Sequence, residues 1–221
     1  DIILTRKSLT ILSDAVMEGR KTFINTLKYI QMGLSSNFGN MFSMAVAAVF
    51  LPFLPMLPIQ ILLNNFIYDF SQVTIPTDRV DQYFITRPQS WDLSFIRRFM
   101  IVFGIVSSVF DLITFYIFYH VFGSAEHQFQ TAWFLESLTT QTLVIFSIRT
   151  HHQPFSGSLP SWQLTASTLG CTLIAWLIPF TSVGAFFYMV PLTMEMSAVI
   201  LVLVVIYLLL VEYVKRLFYK R

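Results

Sequence analysis

The sequence predicts an all-α membrane protein, a six-helix transmembrane bundle with a cytoplasmic stalk helix. Of the 221 residues, 55% are hydrophobic and only 12% are charged, whereas soluble domains carry about 25% charged residues. Six apolar segments each approach the roughly 20 residues that a helix needs to cross a bilayer. All 14 Lys and Arg residues flank these segments, and none lies inside one. A soluble core could not bury this much apolar surface, so lipid must be the solvent for most of the chain.

The N-terminal region divides into two predicted parts. Residues 1–12 begin with DIILT, which we interpret as a short strand and linker belonging to a soluble domain. A helix is expected to start near Ser13, a candidate N-cap with Asp14 in the first turn. Residues 13–34 then alternate apolar and charged faces at helical spacing, which predicts a solvated stalk that continues into the membrane. Because the chain starts with Asp1 rather than Met, we expect the natural polypeptide to extend upstream.

The transmembrane domain is predicted over residues 35–221. Its six segments are, in chain order, 34–52, 58–75, 99–122, 132–148, 164–187 and 197–214. Pro179 is expected to kink the fifth of them. Lys and Arg residues occur in the stalk, in the loops 77–98 and 148–162 and in the C-terminal tail, but not in the other three connections. By the positive-inside rule, both termini are therefore predicted to face the cytoplasm in a multi-pass protein of the cell membrane.

Polar side chains at membrane depth are costly and indicate function by default. Asn37 and Asn40 share a helical face in the first segment, and Asn65 and Asp69 share one in the second. With a rise of 1.5 Å per residue, Asn40 lies about 18 Å inward from the outer turn and Asp69 about 16 Å. The four side chains can therefore converge on one polar site. Their oxygen ligands suit a hard cation, and a partly hydrated Mg²⁺ needs few charged ligands.

Four further polar residues form a candidate secondary pathway, and they are Tyr68, Gln72, Asp111 and Gln141. Gln72 continues the stripe of Asn65 and Asp69 along the second segment. Three roles remain open for Asp111: a second ion site, a gate, or a protonated residue that packs helices. Glu136 lies nearer the outer end of the fourth segment and is expected to reach the interface. Amide side chains also join membrane helices without binding ions, so this alternative stays open for the whole set.

Longer stretches of the chain are similar to one family. DIILTRKSLTILSDAVMEGRKTF resembles the segment in which P-type ATPases pass from the phosphorylation domain into the stalk of their fifth membrane helix. SSNFGN, FLPFLPMLP and NNFIYDFSQ resemble the fifth and sixth helices of the magnesium-transporting branch. RFMIVFGIVSSVFDLITF and TAWFLESLTTQTLVIFSIRT resemble its seventh and eighth helices. The resemblance is strongest up to about residue 155, and the last two helices match in hydropathy and position.

This resemblance implies a set of roles. Asn37 matches the Asn of the fifth-helix ion site, and Asn65 and Asp69 match the Asn and Asp of the sixth. Asn40 and Gln141 stand where the related calcium pumps carry Glu, and Tyr68 where they carry Thr, so the site has less negative charge than a calcium site. The pump implied would use ATP to move Mg²⁺ into the cytoplasm, with the stalk as the lever between phosphorylation and the ion site. The phosphorylated Asp, the nucleotide-binding and actuator domains and the fourth helix are not in this sequence, and we expect them as partners of this chain.

Two other functions remain open at this stage. The chain could act alone as a membrane channel, carrier or regulatory domain without ATPase activity. It could also belong to a P-type pump for Ca²⁺, Mn²⁺ or protons. No phosphate-binding loop and no catalytic triad occur in the sequence, so the chain by itself is not expected to be catalytic.

Overall fold

The computed structural model describes residues 9–86, 89–150 and 158–219, and every regular element in them is helical. The α-helices of this part are α1 (Leu9–Phe50), α2 (Pro58–Gln72), α3 (Gln82–Thr86), α4 (Leu93–Tyr116), α5 (Glu126–Leu143), α6 (Ile145–Ile148), α7 (Trp162–Leu177), α8 (Ser182–Phe186) and α9 (Met194–Tyr219). A π-helical turn, Ile117–Val121, extends α4. Two short 3₁₀ turns, Ile75–Thr77 and Ile178–Phe180, follow α2 and α7. The all-helical prediction is confirmed here, and the predicted strand at residues 1–5 lies outside the described residues.

Three helical segments of the described chain are long and apolar enough to cross a membrane. They are Leu93–Val121, Trp162–Phe180 and Met194–Tyr219. These coincide with the third, fifth and sixth predicted segments. The other three predicted segments are helical as well, but they lie in helices that are shorter or more polar. For example, α2 has 15 residues, or about 22 Å of helix, which is less than the roughly 30 Å of a hydrocarbon core.

Two helix boundaries differ from the predictions. The first helix begins at Leu9, so Ser13 lies inside it and is not its N-cap. Pro179 does not kink a continuous fifth helix, because α7 ends at Leu177 and the chain passes through a 3₁₀ turn into α8. Proline cannot donate the backbone hydrogen bond that a helix interior requires. The hydroxyl of Thr181 then caps the new helix by accepting from the amide of Gly184 at 3.4 Å.

The polar helix α5 lies at the centre of the bundle. Every residue from 129 to 142 is buried, including Glu136 and Gln141. Its neighbours are α9, α7, α2 and α4, and their apolar side chains surround it. A helix that is buried on all sides needs partners for its polar groups inside the bundle. The positions of these partners define the sites described below.

The helices α1 and α4 pack closely through two glycines. A Cβ atom added to Gly39 would lie 3.1 Å from the carbonyl oxygen of Gly104 and 3.2 Å from the Cβ of Ser107. A Cβ atom added to Gly104 would lie 2.6 Å from the ring of Phe38. Small residues allow membrane helices to approach this closely, and the approach positions polar residues of α1 against α4.

An ionic cluster around Asp78 joins three parts of the chain at one end of the bundle. Asp78 accepts hydrogen bonds from Lys28 of α1 at 2.8 Å and from two nitrogens of Arg149 at 3.0 Å each. The side chains of Lys28, Asp78 and Arg149 are 9%, 1% and 1% exposed. Burial lowers the pKa of Lys28, whereas attraction by Asp78 and the hydrogen bond to it act in the opposite direction. Lys215 of α9 donates to the carbonyl of Ser147 at 2.8 Å.

These contacts bring the basic regions of the chain together. The stalk part of α1, the loop after α2, the end of α6 and the end of α9 all meet at the Asp78 end of the bundle. The positive-inside pattern predicts the same grouping, with these regions on a single side of the membrane.

We expect the substitution D78A to lower the free energy of unfolding by about 3–5 kcal/mol, because it leaves two buried cations without their counter-ion. Unfolding of the purified protein in detergent, followed by circular dichroism, measures this loss. The control is E18A, which removes an exposed pair between Lys21 and Glu18, whose side chains are 45% and 71% exposed. That change should cost at most about 1 kcal/mol. Equal losses in the two variants would contradict a structural role for the cluster.

Candidate functional site

A network of amide and hydroxyl groups connects α1, α2 and α5 inside the bundle. The Oε1 atom of Gln141 accepts from the hydroxyl of Ser36 at 2.5 Å and from Nδ2 of Asn40 at 3.4 Å. The Nε2 atom of Gln141 donates to Oδ1 of Asn64. Ser137, one turn earlier on α5, donates to Oδ1 of Asn40 at 3.2 Å. We call these five residues the Gln141 network.

The Gln141 network joins helices through neutral hydrogen bonds. Gln141 lies at its centre, because its one amide group contacts both α1 and α2. Two predicted residues, Asn40 and Gln141, are therefore in contact. Oxygen atoms of Gln141, Asn40 and Asn64 are already occupied by donors of the protein. In this arrangement Asn40 joins helices, which is the alternative role that the sequence analysis left open for the amide side chains. Its role as an ion ligand stays a prediction.

The other three predicted ligands lie outside this network. Asn37, Asn65 and Asp69 are exposed. Their side chains form no hydrogen bond or ion pair with the described residues. Asp69 lines a cavity of about 400 Å³ at the surface between α1 and α2, together with Asn25 and Tyr29. The structure thus places a carboxylate and two amides on an open surface, and their convergence on one ion stays a prediction.

The helix α2 carries a second polar face, which points into the bundle. Asn64, Tyr68 and Gln72 recur every four residues and are 2%, 4% and 2% exposed. One polar atom of each lacks a hydrogen-bond partner among the described residues: Nδ2 of Asn64, the hydroxyl of Tyr68 and Oε1 of Gln72. Gln72 was predicted to continue the stripe of Asn65 and Asp69. It lines the cavity beside Asp69 but is buried, because the chain turns back at Ile75–Thr77 and packs against α1.

Asp111 lies at the contact between α4, α1 and α5. Its two oxygens accept from the hydroxyl of Ser43 at 2.5 Å and from the indole nitrogen of Trp133 at 2.8 Å. The carboxyl of Glu136, one turn after Trp133 on α5, interacts with that of Asp111. The expectation that Glu136 reaches the interface is wrong. Glu136 is 1% exposed, because all sides of α5 are covered at this level.

Several of these residues were not predicted from the sequence. Asn64 is not among the predicted residues, although its spacing with Tyr68 and Gln72 puts the three on a common helical face. The carboxyl pair was missed because Asp111 and Glu136 lie on different helices. Only the packing of α4 against α5 brings them together. Trp133 gives no polar signal in a segment so rich in aromatic residues.

Comparison with known proteins agrees with this architecture. Residues 53–217 match the family described as cation transporting ATPase, C-terminus. The chain belongs to this family. It is 44% identical over its whole length to "Magnesium-transporting ATPase, P-type 1" of Salmonella typhimurium (strain 14028s / SGSC 2262). It is 43% identical to the protein of the same name from Escherichia coli (strain K12).

The predicted resemblance to magnesium-transporting P-type ATPases is therefore confirmed. The chain spans about a quarter of the length of these relatives, 25% in each case. Together with the three apolar helices, this similarity identifies the chain as part of a P-type ATPase, a multi-pass membrane protein.

The Gln141 network leads to a stability prediction. The substitution Q141L keeps the approximate size of the side chain but removes its hydrogen bonds to Ser36, Asn40 and Asn64. We expect a loss of about 1–3 kcal/mol, the usual cost of leaving buried polar groups without partners. Q128L on the same helix is the control, because Gln128 is half-exposed. Thermal unfolding in detergent compares the two variants, and a Q141L protein as stable as Q128L would contradict the role of the network.

Proposed function

We propose that this chain is the ion-binding and coupling half of a pump that moves Mg²⁺ across the membrane into the cytoplasm at the expense of ATP. Membership of the cation transporting ATPase family supports a pump, and the names of the relatives support magnesium as the transported ion. In the complete protein, other regions would phosphorylate, bind the nucleotide with Mg²⁺ and dephosphorylate. This chain would hold the transported ion and couple its movement to those reactions.

One observation carries the choice of site. Asp69 is an exposed carboxylate on a helix of a membrane protein, Asn65 is exposed one turn before it on α2, and Asn37 is exposed on α1. A carboxylate that faced lipid would be costly, so this surface requires a cover. A further membrane helix from another part of the pump would provide that cover and complete an oxygen-lined site between itself, α1 and α2.

The chemistry of this surface favours a hydrated divalent cation. It offers one carboxylate and two amide oxygens, which is too little charge for a fully dehydrated ion. Mg²⁺ keeps several of its water molecules and binds through one or two carboxylates. The half-buried Asn40 and the buried Gln141 stand where a calcium site would have charged residues, and they are hydrogen-bonded to each other.

The long first helix supports the coupling role. Its 42 residues run without interruption from Leu9 to Phe50, about 63 Å of helix. Lys28 and Asn25 attach it to the loop after α2, since Asn25 donates to the carbonyl of Asp78 at 3.0 Å. A displacement of its stalk, residues 13–34, would therefore reach Asn37 and Asn40 and the Asp78 cluster together.

We further propose that the chain crosses the membrane six times, with both termini in the cytoplasm. The contact of Lys215 with Ser147 supports this topology, because it brings the end of α9 to the Asp78 end of the bundle. With only the three long apolar helices crossing, α9 would run in the opposite direction across the membrane.

Labelling of single cysteines tests this topology. The only native cysteine, Cys171, is first replaced by alanine, and the exposed residues Ser90 and Met194 are then changed one at a time to cysteine. Six crossings place the two positions on opposite sides. A membrane-impermeant maleimide should therefore label M194C in intact cells but label S90C only after permeabilisation. Both positions reacting from the same side would contradict the six-crossing arrangement.

The ion site is tested with D69N in the complete protein. Loss of the carboxylate should weaken Mg²⁺-dependent transport by more than about tenfold, the lower end of what even an indirect change near a bound metal costs. Uptake of Mg²⁺ into proteoliposomes in the presence of ATP measures the effect. D14N is the matched control, because Asp14 is exposed on the stalk part of α1.

Unchanged uptake by D69N would contradict the assignment of the site. Uptake that proceeds equally well without ATP would instead favour a channel or carrier. Replacement of Mg²⁺ by Ca²⁺ or Mn²⁺ in the same assay tests the choice of ion, and faster uptake of either would overturn the magnesium proposal.

A further inference from the structure

Two carboxyl groups meet in the interior of the bundle, away from the exposed surface around Asp69. Asp111 of α4 and Glu136 of α5 are each 1% exposed. Their carboxyl groups interact, since Asp111 accepts from Trp133, which lies one turn before Glu136 on α5. Glu136 is ten residues from the start of α5, and Asp111 is ten residues from Val121 at the end of the extended α4. Both therefore lie about 15 Å of helix from the same end of the bundle, close to the middle of a bilayer.

The two carboxyl groups have unequal surroundings. Both oxygens of Asp111 accept hydrogen bonds, from Ser43 and from Trp133. No hydroxyl, amide or cationic group of the described residues donates to Oε2 of Glu136, although this atom is buried. Hydrogen bonds from donors stabilise the ionised form of a carboxyl group. Asp111 is thus equipped to carry a negative charge, and Glu136 is not.

Among the residues that the structure describes, no positive charge is paired with either carboxyl group. The ion pairs of the described residues include neither Asp111 nor Glu136. The titratable group that faces the pair from α9 is the phenol of Tyr207, which carries no positive charge in either of its forms. Two ionised carboxylates in contact in such surroundings would repel each other and would lack hydration. A hydrogen bond between them requires one proton.

A metal ion fits this place poorly. Trp133 donates its indole N–H to one oxygen of Asp111, and an indole N–H is a donor only and cannot become a metal ligand. A group of three or more acidic, His or Cys side chains able to hold a metal does not occur among the described residues. The chemistry of the pair therefore favours a proton rather than a metal ion.

We propose that Asp111 and Glu136 form a proton-binding site in which Glu136 carries one proton and donates it to the ionised Asp111. The ligand of this site is H⁺, and its binding neutralises one of the two carboxylates. Ser43 connects the pair to α1, the helix that also carries Asn40. Ser137, the neighbour of Glu136, binds Asn40 directly. Loss of the proton would therefore change the surroundings of the Gln141 network. This inference does not depend on the transported ion or on the proposed pump.

Infrared spectroscopy of the purified, natural-length protein in an alkyl maltoside detergent, which unlike a phospholipid has no ester carbonyl, tests the proposal. A protonated carboxyl group absorbs apart from ionised carboxylates and from the amide backbone. At neutral pH an exposed Glu, with a pKa of about 4.3, is ionised and contributes nothing to this region. We expect the wild-type protein to show a carbonyl band that shifts in D₂O. E136Q should remove this band and keep the fold, because its amide group can still donate to Asp111.

Two further samples make the outcome decisive. E126Q is the matched control, because Glu126 is exposed in the first turn of the same helix, and it should retain the band. Wild-type protein labelled with ¹³C at the carboxyl groups of Glu needs no substitution, and its band should move to lower frequency. Wild-type protein without a protonated-carboxyl band at neutral pH would overturn the proposal. A band that E136Q leaves in place, or that the Glu label does not shift, would also overturn it.

Discussion

The structure depends on one constraint: the polar groups of α5 must find partners without water. This helix carries Glu136 and Gln141 in addition to hydroxyl side chains, and it is covered on all sides by other helices. In lipid, unsatisfied polar groups cost several kcal/mol each, so such a helix cannot lie at the periphery. The apolar helices α4, α7 and α9 can face lipid and surround it. The central position of α5 and the peripheral positions of α4, α7 and α9 follow from this difference in polarity.

The partners of α5 tie it to α1 by two routes. Gln141 reaches Ser36 and Asn40 through neutral hydrogen bonds, whereas Trp133 reaches Ser43 through Asp111. The close contact of Gly39 with Gly104 allows α1 to approach α4 closely enough for the second route. At one end of the bundle the Asp78 cluster adds a third attachment, this time ionic. We expect α1, held at three levels in this way, to move as a unit, as the coupling role proposed for its stalk would require.

The polar residues thus separate into an inner and an outer set. The inner set consists of the Gln141 network and of Asp111 with its partners. Most of its polar atoms are hydrogen-bonded within the bundle, and these bonds hold the helices together. The outer set, Asn37, Asn65 and Asp69, is exposed on α1 and α2. Because the chain corresponds to 25% of the length of its P-type relatives, an uncovered polar surface is what a part of a larger membrane protein would present. In our proposal the inner set gives rigidity and carries a proton, and the outer set binds the transported ion.

The sequence by itself determined the class of the protein. Low charge, apolar segments and flanking basic residues predicted helices in a membrane, and the motifs predicted the family, because both signals are local in the chain. The tertiary structure decided which polar residues face each other. Asn64 and Asn65 are neighbours in sequence, yet the first binds Gln141 and the second is exposed. Asp111 and Glu136 meet only because α4 and α5 pack together at that depth. A period of 3.6 residues defines the faces of a helix, but the partner of each face depends on how the helices are arranged.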